Sequence, residues 1–530
     1  MRCSKQSIAA RPALLGALGL LGLAALPSCG DDSGGPATCE APPSGDGRWF
    51  VDATAEAGID FEHHPSTPLC HITDTVGGPG VCAFDADGDG DLDLYFVDRE
   101  GHTSALYAND GAGRFTDVTA QAGVGTPGDA IGCAAFDKDG DGDLDLYVTT
   151  TGRDTLYEND GAGRFVDVSA SAGVTHSGYS TSASAADIDG DGDLDLFVAR
   201  LVVLETCPDA CYLFPLACER ETNLLYVNDG RGNFTEQSMG RGLSEADPSL
   251  AAIFFDQDDD GDVDLWVGND MGVAFSDRMY INDGNGNFVD RSSELGYSAA
   301  GTDTMGGAIG DVENDGILDL VSTDFSDRPT RVFDCFDREL PCSFESLPPE
   351  SNLYVNWAVG LVDFDLDGDL DVFQTSGNVF DPELVGDPNQ LFVRRDGRWF
   401  AHTPAEGEAL AKKAVHRGAV FGDLDGDGDV DVVTAANGGS PQILRNVSAA
   451  GHFVRVSTEP VAPGTRVRVS AGGSTQTAQV VIGGSYLGTG DHALVFGIGA
   501  ACEAEVELRF PGGAARTATV RAGETLVARP

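Results

Sequence analysis

Seven short runs share one arrangement of carboxylates, Asp-x-Asp-x-Asp-Gly-x-x-Asp, beginning at Asp85, Asp137, Asp187, Asp256, Asp311, Asp363 and Asp423. In the first run Asp85, Asp87, Asp89 and Asp93 place side chains at positions 1, 3, 5 and 9, and Gly90 stands at position 6. Glycine reaches a positive φ at little steric cost, so the loop can curl its oxygens inward. Ca2+ takes roughly six to eight oxygen ligands at about 2.3–2.6 Å. Four carboxylates, the position-7 carbonyl of Asp91 and water meet that demand. Without a cation the clustered carboxylates would repel one another.

The other copies offer the same set. They are Asp137, Asp139, Asp141 and Asp145 with the carbonyl of Asp143; Asp187, Asp189, Asp191 and Asp195 with Asp193; and Asp256, Asp258, Asp260 and Asp264 with Asp262. The sixth and seventh are Asp363, Asp365, Asp367 and Asp371 with Asp369, and Asp423, Asp425, Asp427 and Asp431 with Asp429. The fifth, Asp311, Glu313, Asp315 and Asp319 with the carbonyl of Ile317, carries a longer Glu at position 3. About seven Ca2+ ions are expected, the fifth held most weakly.

Other calcium motifs do not fit. An EF-hand needs Glu at position 12 and a following helix, whereas here Phe96, Val148 or Val198 stands there. Leu92-Asp93-Leu94-Tyr95-Phe96-Val97 reads as a strand. Dockerin-like pairs would also continue as helices, and nonapeptide calcium rolls repeat every nine residues. These loops recur at intervals of 50–69 residues, a period that signals a propeller or solenoid. A second repeat, Leu106-Tyr107-Ala108-Asn109-Asp110-Gly111, returns from Leu156, Leu225 and Met279 and marks a hairpin. Four strands per period and seven periods predict an all-β fold, a seven-bladed β-propeller over residues 48–447 with Asp-rich calcium loops. Arg48–Thr54 matches the last strand of a repeat, while Ile443-Leu444-Arg445-Asn446 lacks its partner strand. The N-terminal strand is therefore expected to complete the last blade. The fifth blade is irregular, with Cys335 and Cys342 in place of the Asn-Asp-Gly turn.

Residues 1–28 read as a lipoprotein signal peptide: Arg2, Lys5 and Arg11 precede the 13-residue apolar stretch Leu14–Leu26. Leu26-Pro27-Ser28-Cys29 resembles a bacterial lipobox, which makes Cys29 the expected lipidation site and residues 29–47 a flexible tether. The expected location is therefore outside the cytoplasm, on a bacterial cell surface or outer membrane. Beyond Cys3 and Cys29, ten of the 12 Cys remain, an even number that permits disulfides in an exported chain. Cys207, Cys211 and Cys218 lie in one insertion and have no His nearby, which makes a Zn site there a poor alternative. The 86 Asp+Glu against 32 Lys+Arg, a net charge of −54, exclude nucleic acid as a natural partner.

After residue 450 the acidic excess ends: residues 451–530 hold seven Arg and six Asp+Glu. Strand-like runs such as Val467-Arg468-Val469 and Val506-Glu507-Leu508-Arg509-Phe510 alternate with Gly-rich turns, marking a separate small β domain.

The seven loops resemble FG-GAP/VCBS repeats, also found in integrin α-subunit propellers. The tail resembles the ASPIC/UnbV domain through Gly464-Thr465-Arg466-Val467-Arg468-Val469, Gly483-Gly484-Ser485-Tyr486-Leu487 and Phe496-Gly497-Ile498-Gly499. Together they cover nearly all of residues 48–530, an arrangement similar to the cartilage acidic protein family and its bacterial relatives. The resemblance implies an extracellular propeller used for adhesion or interaction, with the family's calcium ligands at positions 1, 3, 5 and 9 and Glu313 the one departure.

Two functions compete. The first is a lipid-tethered binding module for a protein or glycan, its calcium structural. The second is a calcium-dependent polysaccharide lyase or hydrolase. His63, His64, His71 and His102 cluster around the first loop and could act as bases or bind a transition metal. No His-Glu-x-x-His, Gly-x-Ser-x-Gly or phosphate-binding Gly-Lys-Ser/Thr motif occurs, so the expectation is a non-enzymatic module. The insertion at 201–222 is a partner-binding loop or a disulfide-pinned flap.

Overall fold

The computed structural model describes residues 47–65, 77–99, 101–207, 218–271, 274–298, 303–325, 328–335, 341–378, 385–448 and 451–530. The expected signal peptide, Cys29, most of the tether, His71 and Cys211 lie outside them. Seven four-stranded antiparallel sheets follow one another along the described chain. Each begins with an inner strand: Val81–Phe84, Ala130–Phe136, Ser180–Ala186, Ser249–Phe255, Gly307–Gly310, Asn356–Val362 and His416–Gly422. Each inner strand neighbours the next, and His416–Gly422 returns to Val81–Phe84, so the sheets form the closed ring of a seven-bladed propeller. The last blade takes its outer strand from the N-terminal side, with Phe50 opposite Asn446, Val51 opposite Arg445 and Asp52 opposite Leu444. No blade is left with an open seam there.

Apolar runs bury both faces of each blade. Cys82, Phe84, Tyr95 and Leu106 of blade 1 pack with Ala135, Leu146, Val148 and Tyr157 of blade 2, and Phe197 and Leu225 of blade 3 with Phe254 and Leu265 of blade 4. A disulfide joins Cys82 to Cys133 across neighbouring inner strands. The other two disulfides between described residues are local, Cys207–Cys218 and Cys335–Cys342. The latter straps the hairpin between Arg331–Asp334 and Ser343–Ser346, where blade 5 lacks the Asn-Asp-Gly turn.

Residues 452–528 form a two-sheet sandwich. One sheet holds Leu494–Gly499, His452–Thr458 and Thr525–Ala528; the other holds Ser474–Gln479, Arg466–Ala471, Glu503–Arg509 and Ala515–Arg521. Val454, Val467, Phe496 and Val506 fill its own core. The sandwich is not separate from the propeller, however. Its segment from Ile482 to Asp491 enters the middle of the ring. The Ala83 amide donates to the Thr489 carbonyl (2.9 Å), Ser184 Oγ to the Ile482 carbonyl (2.6 Å) and the Asp491 amide to the Phe421 carbonyl (3.1 Å). Tyr486 and Leu487 are fully buried in the cluster formed by Ile131, Leu250, Met305, Trp357 and Ala419. The Tyr486 ring lies 5.1 Å from that of Trp357, over which the buried Arg417 guanidinium also sits, at 4.0 Å. The approach is so close that a Cβ at Gly132 would lie 3.1 Å from the Leu487 backbone, and one at Gly80 would overlap the Leu487 carbonyl. The Gly483-Gly484-Ser485-Tyr486-Leu487 run is thus the plug of the propeller's axis.

Candidate metal centres

Each acidic loop joins an inner strand to the second strand of its blade, so all seven turns occupy the same end of the sheets. Their backbones agree closely. The position-6 residues Gly90, Gly142, Gly192, Gly261, Gly316, Gly368 and Gly428 have φ between 91° and 101°, a region that L side chains rarely enter. Position 4 is left-handed as well: Gly88, Gly140, Gly190 and Gly426 stand there in four copies, Asp259, Asn314 and Leu366 (φ 57–58°) in the others. Glycine at position 4 in four copies out of seven is the sequence signal of this constraint.

The first carboxylate organises the curl. Asp85 accepts from the amides of Gly88 (2.8 Å), Asp89 (3.2 Å) and Gly90 (3.0 Å), and Asp187 from Gly190 (2.8 Å) and Gly192 (3.0 Å). Position 5 braces the turn, Asp89 accepting from the Asp91 amide (3.0 Å) and Asp427 from the Asp429 amide (3.2 Å). At position 7 the side chains of Asp91, Asp193 and Asp262 lie against the turn glycines Gly111, Gly230 and Gly284, where a Cβ would collide with the carboxylate.

Position 9 does more than the sequence indicated. Asp93 Oδ2 accepts from the Ala86 amide (2.9 Å) and Oδ1 from the Asn109 amide (2.8 Å). Asp145, Asp195, Asp264 and Asp431 repeat this with the position-2 amide and the amide of the Asn ending the third strand. This buried carboxylate therefore ties its loop to its own blade. The Asn then ties blades together, its amide donating to the position-2 carbonyl of the preceding loop. Asn159 reaches Ala86 (2.9 Å), Asn228 Lys138 (2.7 Å), Asn282 Ile188 (2.8 Å) and Asn446 Phe364 (2.9 Å), while Asn109 reaches Leu424 (2.9 Å) across the closure. From sequence alone this Asn reads only as a turn former.

Position 3 is divided between protein and loop. One oxygen pairs with a base: Asp139 with Lys138 (2.6 Å), Asp189 with Arg241 (3.2 Å), Asp425 with Arg445 (3.2 Å) and Asp365 with Arg395 (3.5 Å). Oδ1 is buried without a hydrogen-bond partner in these four and also in Asp258. Carboxylate oxygens of positions 1, 3 and 9 come within 4.8 Å of one another in the loops at Asp85, Asp137 and Asp187, and those of positions 1, 3 and 5 in the loop at Asp256. Burial pushes Asp93, Asp145 and Asp195 up to about 7 and Asp264, Asp371 and Asp431 well above the usual carboxylate range. A compact set of anionic oxygens, some with no protein donor, fits a hard divalent cation: such an ion would favour the ionised form that burial disfavours.

The fifth loop departs from the others at position 3. Glu313 pairs with Arg394 (3.1 Å), which stands where other blades have the linking Asn and donates to the Val312 carbonyl. Among the flagged histidines, His63 is buried, and burial lowers its pKa well below the ordinary imidazole value. His64 and His102 stack, centroids 3.7 Å apart, beside the buried Asp98.

Ring and loops define a seven-bladed β-propeller, in which the FG-GAP-like repeat family model matches residues 85–148, 137–198 and 256–322, and the ASPIC and UnbV model matches residues 455–528 of the C-terminal sandwich. The chain is similar to cartilage acidic protein 1 of Mus musculus, 26% identical over 323 residues (58% of this chain, 47% of the relative), and to that of Homo sapiens, 25% identical over 334 residues (60% and 48%). It spans about half the length of these curated relatives. Solved structures similar to it include an Agrocybe aegerita protein recognising non-reducing terminal N-acetylglucosamine (TM-score 0.37, 14% identity, 68% of this chain and 87% of that one). An exotype rhamnogalacturonan lyase (0.38, 13%, 70% and 72%) and the V. cholerae biofilm matrix protein Bap1 (0.30, 12%, 89% and 76%) are others.

Proposed function

We propose that this chain is an exported, lipid-anchored propeller whose loops bind about seven Ca2+ ions structurally and whose surface serves adhesion to, or recognition of, a protein or glycan. The observation that carries the calcium reading is the buried, partnerless Oδ1 at position 3 in five loops. Leaving such an oxygen unsatisfied is costly, and a cation relieves all five alike. Disulfides at Cys82–Cys133, Cys207–Cys218 and Cys335–Cys342 support export; the lipobox-like run ending at Cys29 supports the anchor. The module is read as non-enzymatic, because the carboxylates are engaged in loops and interblade ties rather than paired in a cleft. Extracellular calcium modules bind with Kd of roughly 10⁻⁴–10⁻³ M. Equilibrium dialysis of the mature protein should give six or seven ions in that range, and a count of zero or one would overturn the reading. Pull-down with the calcium-loaded protein, repeated in chelator, should capture its ligand only in calcium.

A further inference from the structure

We propose that His64, Asp98 and His102 form a binding site for one transition-metal dication of the zinc class, distinct from the calcium loops. The three come from two segments. Asp98 and His102 belong to one turn after the second strand of blade 1, closed by the His102 amide donating to the Arg99 carbonyl (3.0 Å). His64 comes from the segment before blade 1, held on blade 7 by the His63 amide donating to the Gly439 carbonyl (3.0 Å). This turn leaves the strand end opposite the acidic loop, so the cluster shares no ligand with the calcium set.

Asp98 is built as a fixed ligand. It is 2% exposed, and its Oδ1 accepts from the amides of His64 (3.0 Å) and Arg99 (2.8 Å). The Asp98 amide in turn donates to Ser104 Oγ (2.9 Å). Oδ2 then pairs with His64 Nδ1 at 2.8 Å, a hydrogen-bonding separation that would open to about 3.3 Å if both atoms bound one tetrahedral ion at about 2.0–2.1 Å. One ligand atom from each residue lies within 4.8 Å of the others. The two imidazoles are stacked in parallel, and because both are exposed, one ring can swing out of the stack to aim its nitrogen at an ion held by the other two residues. Two nitrogens and one carboxylate oxygen suit Zn2+, Ni2+ or Cu2+, whereas Ca2+ prefers oxygen alone. Three protein ligands leave a position for water or a partner's side chain. An ion here would pin the segment carrying His64 to blade 1, next to the seam where the ring closes.

The test uses the mature protein with its loops saturated in calcium and Zn2+ as the probe, titrated by calorimetry. One zinc per chain should bind despite excess calcium, and Co2+ at the same site should give a visible d–d absorption. His64→Ala and His102→Ala should each weaken zinc at least about tenfold, since losing even an outer-shell partner costs about 10–100-fold. Both positions are exposed. His102→Ala should melt like the parent in calcium without zinc, which separates ligand loss from misfolding, whereas His64→Ala also removes the partner of the buried Asp98 Oδ2 and should melt slightly lower. If either variant unfolds, His102→Gln replaces it in the comparison. Absence of zinc binding in excess calcium, or unchanged affinity in the variants, would overturn the proposal.

Discussion

The loops of blades 2 and 5 trace the same backbone, with Gly142 at φ 99° and Gly316 at 91°, yet they balance charge in opposite ways. In blade 2, Lys138 holds one oxygen of Asp139, the other oxygen is buried without a partner, and Asn228 links in from blade 3. In blade 5 the position-3 group is Glu313, paired with Arg394 from blade 6, and Arg466 of the C-terminal sandwich donates to the Gly316 carbonyl (2.8 Å). The curl therefore does not depend on one set of ligands. Left-handed positions 4 and 6, together with the carboxylates at positions 1 and 9, build it, and position 3 decides how much of its charge the protein itself neutralises. Blade 5 sets two guanidinium groups, those of Arg394 and Arg466, around its loop, where blade 2 has the single ammonium of Lys138.

That contrast can be broken most severely at position 9. Asp145→Ala removes the acceptor of two backbone amides inside blade 2 and should destabilise the propeller by about 3–5 kcal/mol in urea unfolding. Asn228→Ala loses bonds to the Lys138 carbonyl (2.7 Å) and the Leu194 carbonyl (2.9 Å) and should cost about 2 kcal/mol. The double change Glu313→Asp with Arg394→Asn gives blade 5 the position-3 Asp and the linking Asn of blade 2, without its Lys138, and should tighten its calcium affinity about tenfold, or about 1.4 kcal/mol. An unchanged affinity would show that position 3 does not set the difference.

Acidity sharpens the same comparison. In metal-free protein Asp93, Asp145 and Asp195, raised to about 7 by burial from an ordinary 3.8, bind more protons folded than unfolded. Their contribution to stability is full below pH 4 and is lost as pH rises through 7. Chelated protein should thus melt higher at pH 5.5 than at pH 8, while calcium-loaded protein, whose ions require ionised carboxylates, should show the reverse order. Equal melting at both pH values without metal would contradict the burial argument.

The acidic loops were legible because one local pattern recurs seven times and the hairpin because it recurs four times, and against those repeats the unpaired strand at residues 443–446 stood out. What escaped was made of single residues acting across distance. Asn109 and its counterparts look like turn formers because the hairpin is local, while their bonds to the preceding loop run between blades. The Gly483–Leu487 run resembles any Gly-rich turn; only the ring gives its closely packed backbone a purpose. Cys82 and Cys133 sit in adjacent repeats at equivalent strands, and nothing in their spacing distinguishes that pair from the local ones.

The most direct test of ions as the ring's fasteners is calorimetric melting of the mature protein in calcium, in excess EDTA, and after calcium is restored. Because a ligand at 100-fold its Kd adds about 2.7 kcal/mol per site, several filled loops predict a fall of about ten degrees or more in EDTA and full recovery with calcium. Superimposable melting curves in all three conditions would contradict the account.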